Sequence, residues 1–151
     1  MGLPEEIAGR LVAQGVGTVA WSVGEIYYPV TAAGWLITAL DFHPSTVNDQ
    51  QIAVIPTGGY APEVSEGTTH LTKPTFQTLV RGPNPNSTLY SSGVTDKVAD
   101  VITALNLYQG TLEGHKYLDI RLTGEPSFIG RDANQRPVWS VNWLAMRSRT
   151  T

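Results

Sequence analysis

Val94, Val98, Val101, Ile102 and Leu105 fall on one side of a 3.6-residue repeat, and they constrain the fold more than any other feature of the chain. The spacing predicts a helix from about Val94 to Leu105. Ser92 or Thr95 is available as its cap, Asp96 lies near its positive end, and Asn106 is expected as a left-handed terminator. Elsewhere this periodicity recurs only near the start. There Leu3, Ile7 and Leu11, flanked by Ala8 and Val12, make an apolar stripe over Pro4 to Gln14, with Pro4 at the opening turn and Gly15 and Gly17 at the end.

The rest of the chain reads as strands. "GEIYYPV", "GWLITALDF" and "QQIAVIP" are rich in aromatic and β-branched residues and bounded by Gly or Pro. "TFQTLVRG" alternates, with Phe76, Thr78 and Val80 on one face and Gln77, Leu79 and Arg81 on the other. "KYLDIRLTG" places Leu118, Ile120 and Leu122 together, opposite Tyr117, Asp119, Arg121 and Thr123. "PVWSVNWLAMR" gathers Trp139, Val141, Trp143 and Ala145 on one face. Long runs of strands with only two helices predict an α+β fold. Its sheet is expected to be antiparallel (or mixed), of about four to six strands, with both helices on one face. At 151 residues the chain suits a single domain over 1–151. Two segments stand apart: the aromatic-rich run at about 18–42, expected as an insertion or an arm, and the polar run Thr57 to Pro74, which is expected to be a mobile loop.

Composition narrows the chemistry. There are no cysteines, so disulfides, zinc–thiolate sites and cysteine nucleophiles are excluded. A net charge of −3 offers no field to draw in nucleic acid, and sequence-specific nucleic-acid binding is not expected. Charged residues make up 15% of the chain, a low share that suits a surface partly covered by partners. The opening "MGLPEEIAGRL" lacks the basic-then-apolar order of a signal peptide and the Ser or Thr that myristoylation needs. Glu25, Pro29 and glycines interrupt the apolar run from Val19 to Leu40, so buried strands are expected there and no membrane association.

The stretch "GRDANQRPVWSVNW" carries the densest candidate chemistry. An EF-hand calcium loop beginning at Asp132 would put Arg136 at its fifth position, Pro137 where Gly belongs and Trp143 where the bidentate Glu belongs, so calcium is rejected. Arg131 and Arg136 leave a phosphate clamp open. A hairpin explains more, because Asp132 and Asn134 are turn formers between "SFI" and "VWSVNW". His43, His70 and His115 lack metal spacing, and no nucleophile elbow or Walker loop occurs. A small hydrolase built on Asp41, His43 or the Arg131–Arg136 turn is the rival from another class. No catalytic residue, cofactor or metal is expected.

The ordered set of pieces is more informative than any one of them. The first helix with "GVGT", the strand "QIAVIPTGG", the strand "PTFQTLVRG", the helix "DKVADVITALN" and the closing "GEPSFIGRDANQRPVWSVNW" resemble the tail terminator proteins of tailed bacteriophages. That group is also labelled minor capsid protein. The resemblance spans nearly the whole chain and rests on Gly58, Gly59, Gln77, Arg81, Gly124, Pro126, Gly130, Asp132 and Asn142. It implies a non-enzymatic virion protein of the tail or neck, assembled in the host bacterial cytoplasm. Such a protein forms a homo-oligomeric, expectedly hexameric, ring on the head-proximal end of the tail tube. There it stops tube polymerisation and provides for head–tail joining, with DNA passing through its lumen. The implied partners are further copies of the chain, the major tail tube protein and head-completion or connector proteins; a head–tail stopper or adaptor is the near alternative. Expected contact residues are Arg81, Arg131, Asp132, Asn134 and Arg136, with Gly58, Gly59 and Tyr60.

Overall fold

The computed structural model describes residues 2–19, 35–39, 42, 50–64, 70–83 and 93–149. The order is α1 (Leu3–Ala13), β1 (Thr18–Val19), β2 (Leu36–Ala39), β3 (Gln51–Val64), β4 (His70–Arg81), α2 (Gly93–Leu105), β5 (Gly110–Leu112), β6 (His115–Leu122), β7 (Ser127–Arg131) and β8 (Pro137–Arg149). Both predicted helices form within a residue or so of their expected limits. The strand expected at "GEIYYPV" lies outside the described residues.

The strands make one sheet in the order β1-β2-β3-β4-β8-β6-β5, with β7 also paired to β8. The α+β class holds. The sheet is mixed rather than purely antiparallel, because β1, β2 and the start of β3 run parallel. It also has more strands than the expected four to six.

Long β8 organises the sheet. One edge pairs with β4 from Val138 to Arg149. The other takes β7 at Pro137–Ser140 and β6 at Trp143–Ser148. Thus β6 and β7 act as one interrupted strand, broken at Gly124 and Pro126. Thr123 N still donates to Asn142 O across the break at 3.0 Å.

Alternation decides what lies inside. Ile52, Val54, Phe76, Val80, Val141, Trp143 and Ala145 line the sheet face beneath Ile7, Leu11, Val98, Val101 and Leu105 of the two helices. Trp143 is the largest of these side chains. It stacks on Phe76 at 6.0 Å between centroids, and its Nε1 donates to Thr78 Oγ1 at 3.0 Å. The helices are also tied by polar contacts: Arg10 Nε donates to Ala104 O at 3.1 Å, and its guanidinium lies 4.1 Å over the Tyr108 ring.

Three expectations are corrected here. First, Thr57 to Pro74 is not one long loop. Residues 57–64 and 70–74 extend β3 and β4 as a hairpin, while 65–69 lie outside the described residues. Second, the face assignment in β6 fails after Tyr117. A bulge between Tyr117 and Asp119 inserts Leu118, so that Tyr117 and Ile120 are both buried and Leu118 turns outward, 37% exposed. Third, Asn106 is not the left-handed residue at the end of α2. Leu107 adopts φ 62°, while Asn106 Oδ1 accepts a bond from Leu122 N at 3.3 Å. Nor does Thr95 cap α2, since it lies inside the helix; Ser92 is outside the described residues.

A leucine with positive φ carries a steric cost that glycine avoids. Leu107→Gly is therefore expected to stabilise the isolated chain by about 0.5–1 kcal/mol in urea unfolding. Unchanged or lower stability would show that Leu107's packing outweighs the strain.

Candidate functional site

Asp132 builds the turn between β7 and β8. Its Oδ1 accepts from Asn134 N at 2.9 Å and Arg136 N at 3.0 Å, and its Oδ2 from Arg136 Nε at 2.7 Å. Burial pushes the Asp132 carboxyl up. The Arg136 backbone N–H, the Arg136 guanidinium and the Asn134 backbone N–H outweigh it and hold the group below the usual aspartate range. Gln135 takes φ 62°, and Arg131 Nη1 donates to Gln135 O at 3.0 Å. Both arginines thus have partners within the turn, Arg136 on Asp132 and Arg131 on a backbone carbonyl. The geometry is that of the expected hairpin, and no phosphate clamp is formed.

This turn loses its anchor when Asp132 is protonated. With a depressed folded pKa, its contribution is full above the unfolded value, about 4, and fades as pH falls through the folded value. Asp132→Ala is expected to cost about 1 kcal/mol near neutral pH, discounted for partial exposure, and to differ little from the parent in strong acid. Denaturant titration at both pH values checks this; an equal cost at both would assign the loss to something other than the carboxylate.

The glycine pair serves the β3–β4 hairpin. Gly58 and Gly59 have φ 101° and 141° at a register shift after Pro56. A Cβ on Gly59 would lie 2.6 Å from Lys73 O, so only glycine fits. Beside them Thr57 Oγ1 donates to Thr75 Oγ1 at 2.8 Å. Tyr60 pairs with Lys73 further along the hairpin.

Arg81, expected as a contact residue, ends β4 but is enclosed. It is 6% exposed, and its guanidinium lies 4.6 Å over the Phe42 ring. Asp41 and His43, the other residues of the hydrolase reading, lie outside the described residues. The structure therefore brings Arg131, Asp132, Asn134 and Arg136 together in one turn. It sets Gly58, Gly59 and Tyr60 in another hairpin and Arg81 in the interior.

Sequence reasoning missed the most concentrated set of titratable groups. Glu6 of α1 is 1% exposed and faces three partners: the Tyr117 hydroxyl donates to Oε2, Arg147 Nη1 donates to the same oxygen at 3.0 Å, and His115 Nδ1 meets Oε1. Burial, then the hydrogen bond and charge of Glu6, push the Tyr117 phenol well above its usual pKa. Folding therefore favours the protonated phenol, and this contribution is intact below the unfolded value, about 10, and lost as pH rises beyond it. Stability should fall above that pH less steeply in Tyr117→Phe than in the parent, as read by thermal unfolding; parallel curves would contradict the assignment. A signal existed in the sequence. Glu6 lies one helical turn after Leu3, beside the apolar stripe, and Arg147 continues the inward row of Trp143 and Ala145.

The Glu6 cluster joins α1 to β6 and β8 beneath the surface, whereas the tip of the β7–β8 turn, residues 133–135, is exposed. An open groove of about 560 Å³ is bordered by Leu107, Leu118, Leu144 and Met146, with Asp119 and Arg121.

Residues 14–146 match the family described as bacteriophage tail terminator protein, and the chain belongs to that family. It is accordingly a structural component of the phage tail. None of the curated proteins matches the chain. A chain from the structure described as "Virion of native gene transfer agent (GTA) particle" has a similar fold. The TM-score is 0.58 at 11% identity, covering 97% of this chain and 95% of the other.

Proposed function

We propose that the chain is the tail terminator itself. Copies of it form a ring, of six in our reading, that caps the head-proximal end of the tail tube and stops polymerisation. The ring's other face receives the head-completion or connector proteins, and DNA passes through its lumen. The observation that carries this reading is the family match across residues 14–146. It is supported by a similar fold in a particle virion and by the exposed tip of the β7–β8 turn. Action is by protein contact, without a cofactor. On this reading the turn at Arg131–Arg136 faces a partner, while the two ends of the 18–42 segment stay in their own sheet as β1 and β2. Native mass spectrometry of the chain, alone and with tail tube protein, tests the ring. A closed oligomer of the chain is expected, at the latest when tube protein is present. A chain that stays monomeric under both conditions would overturn it.

A further inference from the structure

Among the described residues, the large apolar side chains left exposed are Val12 at 39%, Leu107 at 66%, Leu118 at 37%, Phe128 at 50% and Ile129 at 57%. Four of them fall into two groups of opposite shape. Leu107 and Leu118 line the open groove with Leu144 and Met146. Each reaches it through a local irregularity: Leu107 through its positive φ, Leu118 through the bulge in β6. Backbone strain that places apolar groups in water points to a contact made elsewhere.

Phe128 and Ile129 form the projecting counterpart. They lie on β7, which among the described residues pairs only with β8, leaving its other edge open. The ring of Phe128 rests against Trp139 at 5.6 Å between centroids, while Ile129 lies at a bulge ending in Gly130. The projection cannot fill the groove of its own chain. Gly130 pairs with Val138, whereas the groove borders Leu144 and Met146. Even from Trp139, the partner of Phe128, Leu144 is about 17 Å away along β8 at about 3.4 Å per residue.

The charges agree with the shapes. The projection is flanked by exposed Glu125 on one side and exposed Arg131 on the other. The groove carries exposed Arg121 and, partly covered by it, Asp119. Each sign on the projection therefore has its opposite at the groove. Two different, complementary surfaces on one chain are what a head-to-tail ring contact requires, whereas a two-fold dimer needs one self-complementary surface.

We infer that the Phe128–Ile129 edge of one copy docks in the Leu107–Leu118 groove of a second copy of this chain. This rests on the ring reading above and assigns the surfaces that make it. The absence of cysteine from the sequence allows a direct test by disulfide trapping. Leu118→Cys combined with Ile129→Cys, oxidised in the presence of tail tube protein, is expected to give a ladder of covalent oligomers of the chain. Each single variant should stay below the ladder, because a lone cysteine can join two copies at most. Leu107→Cys with Ile129→Cys serves as the second pair, at a more exposed position. Failure of both pairs to cross-link copies, or cross-linking only to tube protein, would overturn the inference. Charge exchange gives the second arm: Arg121→Glu should weaken assembly, and adding Glu125→Arg should restore it; no restoration contradicts the docking. Tube length in the same preparations separates the two claims. Capped tubes without a ladder would sink the interface alone, and a ladder without capping would sink the terminator reading alone.

Discussion

Glu6→Ala is expected to lower stability by about 3 kcal/mol and Tm by on the order of 10 °C. The carboxylate is fully enclosed, and two of its partners are cations, His115 when protonated and Arg147, whose side chains are 27% and 20% exposed. Removing Glu6 leaves the Arg147 guanidinium and the Tyr117 hydroxyl facing a void without an acceptor. That outcome costs more than the ion pair contributes, because desolvation is already incurred and no longer offset. Arg147→Met should be milder than Glu6→Ala, since Glu6 retains Tyr117 and His115. If Arg147→Met proved the more damaging, the carboxylate would not be the centre of the cluster. Because the cluster fastens α1 to β6 and β8, loss of Glu6 should raise hydrogen exchange first in α1.

The second large effect lies in the core. Trp143→Ala is expected to cost about 3–5 kcal/mol, because the indole is 1% exposed and the adjoining elements can collapse only partly into its space. It packs against Phe76 on β4 and lies between β4 and β6, both paired to β8, so little can move to fill the gap. Trp143→Phe keeps the stacked ring but leaves Thr78 Oγ1 without its indole partner, and about half the loss or less is expected. Chemical denaturation of both variants checks the order. Equal costs would mean that the Thr78 hydrogen bond, not volume, dominates this site.

Legibility from the sequence followed burial. The face of α2 and the Trp139–Ala145 row of β8 were readable because one side of each is enclosed along its whole length, so periodicity survives intact. The hairpin arm over 57–64 was unreadable for the opposite reason. Two glycines and Pro62 interrupt it, and with little apolar alternation it matched the composition of a loop. In β6 a single inserted residue reversed the phase, which no repeat count detects. Arg81 was taken for a surface charge because its aromatic cover, Phe42, is remote in sequence. The Glu6 cluster was hidden likewise: its members are individually ordinary and are joined only by the fold. The hairpin at Asp132 was legible because turn chemistry is local.

Whether this chain ends tail tubes is read most directly by polymerising tail tube protein with and without it and viewing the products by negative-stain microscopy. A ring of this chain is expected at one end of each tube, with no further elongation there when fresh tube protein is added. Tubes that keep growing from both ends, with no added density at either, would contradict it.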